Sequence, residues 1–183
     1  MAARWALRGI LARYLDEPSD IDPTPVGSMS DALAAVALRI GEGGKPELAE
    51  RPPRLRFNLS HSGGLALVAV AAVREVGVDV ERIDPRRDVM RLAARALDPA
   101  AAAAVRAAIP RERAPAFHRA WAQREAAAKC HGVGLRGSPP ATPVAVVALD
   151  PGPGFAAALA AAGELTPPLR LFTAEPSLGW LAR

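Results

Sequence analysis

One cysteine, Cys130, occurs in 183 residues. That excludes a disulfide framework and an all-cysteine zinc site. No low-charge apolar run reaches membrane-spanning length. The opening MAARWALRGILARYL carries charges through its apolar stretch and lacks a clean cleavage site, so it reads as an amphipathic helix and not a secretory signal. A cytoplasmic enzyme or binding domain is the expectation. Lysine is nearly missing: it stands only at 45 and 129, and arginine supplies the rest of the 23 basic residues. Asparagine occurs once, at Asn58. In so arginine-biased a chain the surviving lysines draw notice, because a compact ammonium and a planar guanidinium are not interchangeable at a tight phosphate site.

What is present suffices for a fold. Half the residues are hydrophobic and 23% are charged, so the chain can bury a core and is not globally disordered. The net charge of +4 favours anionic partners such as phosphates, nucleic acid or an acidic protein, or else a well-solvated basic surface.

Residues 3–15 are predicted helical, with Trp5, Leu7, Leu11 and Tyr14 on the apolar face. Residues 16–31 read as a loop, 35–40 as a strand or helix end, and 41–48 as turn-rich. Residues 55–60 alternate, with Leu55, Phe57 and Leu59 on one face and Arg56, Asn58 and Ser60 on the other. HSGG at 61–64 reads as a loop, 65–73 as a buried strand, and 76–81 as a strand joined to it in a hairpin. Helices follow over 86–97, from Asp98–Pro99 to about 108, where Pro110 ends it, and over 112–131, starting after Pro115 and stopped by Gly132 and Gly134. Residues 143–150 and 154–162 suggest strands, and 163–183 an irregular tail. The order of elements indicates an α+β protein.

In VGVDVE, alternation turns Val76, Val78 and Val80 to the core and Gly77, Asp79 and Glu81 to the other face. Residues i and i+2 lie about 6.7 Å apart along a strand. Two carboxylates so placed can share one hard cation at about 2.1 Å; otherwise they form a solvent-facing edge paired with arginines. Trp121, Glu125 and Lys129, spaced by four, share one helix face. That spacing also suits a simple Glu–Lys surface pair. NLSHSGG at 58–64 offers hydroxyls, a histidine and glycines that can cradle phosphate oxygens. Its Ser–His neighbours lack the nucleophile elbow of a serine hydrolase. His118 and His131 read as surface or packing residues, and Cys130 as incidental. GKPEL at 44–48 reads locally as a turn with Pro46 fixing the backbone.

Taken in order, GKPEL (44–48), FNLSHSGG (57–64), VGVDVE (76–81) and FHRAWAQREAAAKCHGVGL (117–135) resemble the 4′-phosphopantetheinyl transferase superfamily, of the type that modifies synthetase and polyketide carrier proteins. The resemblance covers roughly 4–162. It implies two similar α+β halves related by a pseudo-twofold, with coenzyme A and Mg²⁺ in the cleft between them. The halves would be 1–82 and 83–162, with 163–183 as a tail of uncertain structure. It implies a monomeric holo-acyl-carrier-protein synthase acting on an apo acyl or peptidyl carrier protein, which would be acidic, with no nucleic-acid or membrane partner. Residue by residue, it implies Asp79, Glu81 and Glu125 as metal ligands, and Glu125 also as a group helping to deprotonate the acceptor serine. Lys129 would contact the coenzyme's phosphates, Ser60 and His61 its nucleotide end, Lys45 and Pro46 the adenine side, and Arg4 the 3′-phosphate.

Some positions depart from the family pattern. A strand and basic residues that normally precede the Arg4 helix have no counterpart, so either the true start lies upstream or other arginines take over. Arg124 stands where a lysine is common, and alanines fill 100–104 where a glutamate is frequent. Two other readings are kept. One is a truncated relative that binds carrier protein or coenzyme A without turnover. The other is a metal-dependent nuclease, which would leave GKPEL and SHS without a role.

Overall fold

The computed structural model describes residues 2–16, 36–41, 44–49, 55–132, 142–165 and 169–171. Helix α1 runs over Ala2–Asp16. It buries Leu7 and Leu11, two of the four residues expected on its apolar face, against Val36, Leu48 and Phe57; the Trp5 side chain lies outside the described residues. Strands β1 (Leu38–Ile40) and β2 (Pro46–Leu48) pair antiparallel, so the GKPEL turn leads directly into a strand.

Strand β3 (Leu55–Ser62) pairs antiparallel with β4 (Leu65–Ala72), from Leu55 opposite Ala72 to Ser62 opposite Leu65. The connection is Gly63–Gly64, with φ of 56° and 90°. A two-residue turn with positive φ at both positions matches the twist of the flanking strands, and glycine adopts it without a Cβ penalty. His61 and Ser62 therefore belong to the strand, and only the two glycines of HSGG form the turn.

The expected hairpin between 65–73 and 76–81 is not formed. Strand β5 (Val76–Arg82) pairs instead with β7 (Phe155–Ala162), which also pairs with β6 (Val144–Leu149), in the order β5-β7-β6. The reason lies in what β5 finds on its other edge. Its N–H groups there meet β3 side chains: Val78 N–H donates to Asn58 Oδ1 at 2.9 Å, Val80 N–H to Ser60 Oγ at 3.3 Å, and Arg82 N–H to Ser62 Oγ at 3.0 Å. Alternate polar side chains of β3 thus satisfy a row of backbone donors, of which those of Val78 and Val80 are buried and would otherwise be costly.

Helices α2 (Val89–Ala96) and α3 (Pro99–Ala107) are capped by Asp88 and Asp98, whose carboxylates accept from Arg91 N–H and Ala101 N–H. Helix α4 spans Pro110–His131 and ends at Gly132 in the left-handed region. It starts earlier than expected, with Pro110 at its first position and Pro115 inside it. A proline at the first position loses nothing, because that N–H has no intrahelical partner. Pro115 removes a single bond near the helix start, and the rest of the helix continues past it.

Helix α4 lies on the face of β5 and β7 that carries Gly77, Asp79 and Glu81 beside Ala160, Ala158 and Ala156. Small residues permit a very close approach. Ala122, Ala126, Ala158 and Ala160 are fully buried together with Cys130. A Cβ on Gly77 would sit 2.1 Å from the Ala126 carbonyl oxygen. The alanine run 155–162, a weak strand signal by propensity, is a strand because this close contact selects small side chains. No helix among the described residues is long and apolar enough to cross a membrane.

Candidate functional site

The close approach of α4 to β5 brings the helix stripe Trp121, Glu125, Lys129 over the strand acids Asp79 and Glu81. The strand acids are not a solvent-facing edge: Asp79 is buried and Glu81 half-buried. Nor is Lys129 occupied by a surface pair with Glu125. Its ammonium lies 2.6 Å from Asp79 Oδ1 and donates at 3.1 Å to Ser60 Oγ. Ser60, itself buried, donates to the same Asp79 Oδ1 at 2.9 Å. Asp79 Oδ2 is buried with no hydrogen-bond partner.

The two glutamates feel one another and the aspartate. Burial pushes the Glu81 carboxyl above its ordinary range and the Asp79 charge adds to this, against the Trp121 hydrogen bond and the charges of Lys129 and Arg87. Burial likewise raises Glu125; Asp79 and Glu81 push the same way, while Lys129 and Arg124 oppose them. Three carboxylates therefore share one neighbourhood with a single inserted ammonium. The Arg124 guanidinium, whose charge reaches Glu125, rests 5.7 Å from the Trp121 ring centre and donates to the Ala96 carbonyl.

This donor set fits a hard divalent cation. It offers only carboxylate oxygens, one of them a buried acceptor left without a donor, and an excess of negative charge that a cation would relieve. Among the described residues no three acidic, histidine or cysteine groups are already gathered closely enough to hold an ion. The carboxylates would have to draw in around it.

The other predicted residues lie apart from this cluster. Lys45 Nζ donates to Glu75 Oε2 and to the Val76 carbonyl, both at 2.9 Å, and Arg56 Nε donates to Glu75 Oε1 at 2.7 Å. GKPEL is thereby tied to the start of β5, and Lys45 and Pro46 line a shallow cavity with Leu48, Arg56, Phe57 and Glu75. Burial would raise Glu75, but hydrogen bonds and charges from Lys45 and Arg56 outweigh it and hold the carboxyl below its ordinary value. His61 is exposed, and strand alternation turns it away from the face that Ser60 shares with Asn58 and Ser62. Arg4 falls within α1, but its side chain lies outside the described residues.

His118 is buried, with Nδ1 2.8 Å from the Ala114 carbonyl oxygen, which bears out a packing role. Cys130 is a core residue rather than an incidental one, and its thiol donates to the Glu75 carbonyl at 3.3 Å. Sequence reasoning missed Glu75, which joins Lys45 and Arg56. Its only local signal was an acid at the start of a valine-rich strand.

Comparison with known proteins bears on the same segment. A family model described as the 4′-phosphopantetheinyl transferase superfamily matches residues 75–166, half of the chain and the part that contains Asp79, Glu81, Glu125 and Lys129. The chain is 34% identical over 136 residues to the 4′-phosphopantetheinyl transferase HetI of a Nostoc species, covering 73% of this chain and 52% of that protein. It is 38% identical over 105 residues to the 4′-phosphopantetheinyl transferase AcpT of Salmonella typhimurium, covering 57% and 54%. The chain spans about half the length of the curated relatives it matches.

Proposed function

The chain belongs to the 4′-phosphopantetheinyl transferase superfamily, and on that premise we propose that it moves the 4′-phosphopantetheine arm of coenzyme A onto a serine of an apo acyl or peptidyl carrier protein, releasing 3′,5′-ADP. The observation that carries this reading is the Asp79–Lys129 contact across β5 and α4, with Asp79 Oδ2 buried and without a partner and with Glu81 and Glu125 under the influence of the same charges. Lys129 offsets one of the three carboxylate charges, and a bound cation would offset the remainder.

The reaction is attack of a serine oxygen on the phosphorus of a pyrophosphate, with departure of the nucleotide phosphate. It requires in-line positioning and neutralisation of charge on the phosphate oxygens. Asp79, Glu81 and Glu125 are the residues that would hold Mg²⁺. When bound, the ion supplies Lewis-acid stabilisation to the pyrophosphate oxygens. Lys129 offers its ammonium to the leaving phosphate. It sits on the helix face that meets the carboxylates, and at 29% side-chain exposure it can reach both the cluster and a ligand. Glu125 takes the proton of the acceptor serine. Burial first, and the charges of Asp79 and Glu81 after it, raise its carboxyl above the ordinary value, which strengthens it as a base.

His61, exposed on β3, and the cavity beside Lys45 and Pro46 are the proposed nucleotide-side contacts, with Arg4 toward the 3′-phosphate. The basic chain suits both an anionic coenzyme and an acidic carrier protein. We take the protein to be a cytoplasmic monomer, with halves 1–82 and 83–162 and a tail over 163–183.

Intact-protein mass spectrometry of an apo carrier protein incubated with this chain, coenzyme A and Mg²⁺ tests the reading. A gain of one phosphopantetheine group that EDTA abolishes is expected. Binding of coenzyme A or carrier without any gain, across several carriers and with folded protein, would favour the non-catalytic relative. Salt-sensitive DNA cleavage would favour the nuclease.

A further inference from the structure

The resemblance assigns Ser60 to the nucleotide end of the coenzyme. Its hydrogen bonds give the hydroxyl a different task. A serine hydroxyl has one proton to donate and two lone pairs to accept with. The proton goes to Asp79 Oδ1 at 2.9 Å. The lone pairs take Lys129 Nζ at 3.1 Å and Val80 N–H at 3.3 Å. All three capacities are used. A phosphate oxygen needs a donor, and the only proton Ser60 has is already committed to a buried carboxylate. Ser60 is itself 7% exposed, and Asp79 is 3% exposed.

The same bonds fix the direction in which Asp79 points. Oδ1 receives both the hydroxyl and the ammonium, while Oδ2 receives nothing. A carboxylate pinned through one oxygen presents the other at a fixed position. Ser60 is in turn pinned by the backbone of β5 through Val80, between the two strand acids.

We infer that Ser60 is a positioning residue that holds Asp79 with Oδ2 free to receive the cation, and that of the Ser60–His61 pair only His61 is left to contact the coenzyme. This rests on the proposed metal role of Asp79. It separates two neighbouring residues that the sequence presents as one unit: one serves the metal end of the site, the other the nucleotide end. The partition follows from strand alternation, which sends adjacent side chains to opposite faces.

The test uses the full chain and measures Mn²⁺ binding by electron paramagnetic resonance, coenzyme A binding by calorimetry without metal, and transfer. Ser60→Ala is expected to weaken Mn²⁺ binding about tenfold, the weight of one charge-assisted hydrogen bond, and to leave metal-free coenzyme A binding unchanged. Ser60→Thr keeps the O–H group and is expected to restore Mn²⁺ binding. His61→Ala is expected to do the reverse of Ser60→Ala, weakening coenzyme A and sparing Mn²⁺. If Ser60→Ala melts at the assay temperature, Ser60→Cys takes its place, with a smaller loss expected from its weaker donor. Weakened coenzyme A binding with unchanged Mn²⁺ affinity in the Ser60 variant would overturn the inference, and so would a wild-type chain that binds no Mn²⁺. Failure of transfer alone, with the Ser60 effect on Mn²⁺ intact, would count against the transferase reading and leave the inference standing.

Discussion

Lys129 and Asp79, fifty residues apart in sequence, stand 2.6 Å apart from ammonium to carboxylate, across the contact of α4 with β5. The pair is unequal: the Asp79 side chain is 4% exposed and that of Lys129 29%. Removing the lysine therefore strands a buried carboxylate, whereas removing the aspartate leaves an ammonium with access to water. Lys129→Ala should lower stability by about 1–3 kcal/mol and slow transfer on the order of a hundredfold, as expected when one charged stabiliser of the transition state is lost. Arg124→Ala removes a guanidinium that rests on Trp121 and a helix-end carbonyl. It should cost about 1 kcal/mol and affect transfer much less. Thermal melts and initial rates on the two variants check this, and equal rate losses would mean the helix face has been misread.

Gly77 determines how closely the helix can lie on the strand. A Cβ there would meet the Ala126 carbonyl oxygen at 2.1 Å and the Cys130 nitrogen at 2.3 Å. Both are backbone atoms of α4, so neither can swing aside as a side chain would. Gly77→Ala should destabilise the fold by about 3 kcal/mol, the upper end for overpacking. It should also spread the acids from Lys129, so metal affinity should fall in whatever protein remains folded. Denaturant melts read the first effect and Mn²⁺ binding the second.

Glu75 predicts a pH effect. Lys45 and Arg56 overcome the cost of its burial and hold its carboxyl below the ordinary value of 4.5. A carboxyl depressed in the folded state contributes stability that is present above its unfolded pKa. That contribution is lost as pH falls through the lower folded value. The difference in stability between wild type and Glu75→Gln should thus be steady at neutral pH and shrink below about 4.5. Glu81 and Glu125 are raised rather than lowered, and they cancel in this comparison because both proteins carry them. Chemical denaturation of both proteins from neutral to acidic pH checks it.

Much of the site was legible because its signals are local. Alternation in VGVDVE separated Asp79 and Glu81 from the valines, and the spacing of Trp121, Glu125 and Lys129 put them on one helix face. The strand pairing was harder to read. Nothing in 76–81 indicates that its partner is an alanine run some eighty residues later, since alanine carries little strand preference and its role here is to be small. The β3 contacts were also hidden: nothing in NLSHSGG indicates that Asn58, Ser60 and Ser62 accept from backbone N–H groups of β5. Lys45 stood out as a surviving lysine, but its partner Glu75 is thirty residues away and gave no pattern of its own.

The most direct test of the account is transfer by Asp79→Ala beside wild type, read by intact mass of the carrier protein at saturating coenzyme A over a range of Mg²⁺. The account predicts a folded variant, by circular dichroism, that leaves the carrier unmodified at every Mg²⁺ concentration while wild type converts it. A variant that modifies the carrier at the wild-type rate would contradict the assignment of Asp79, and with it the site.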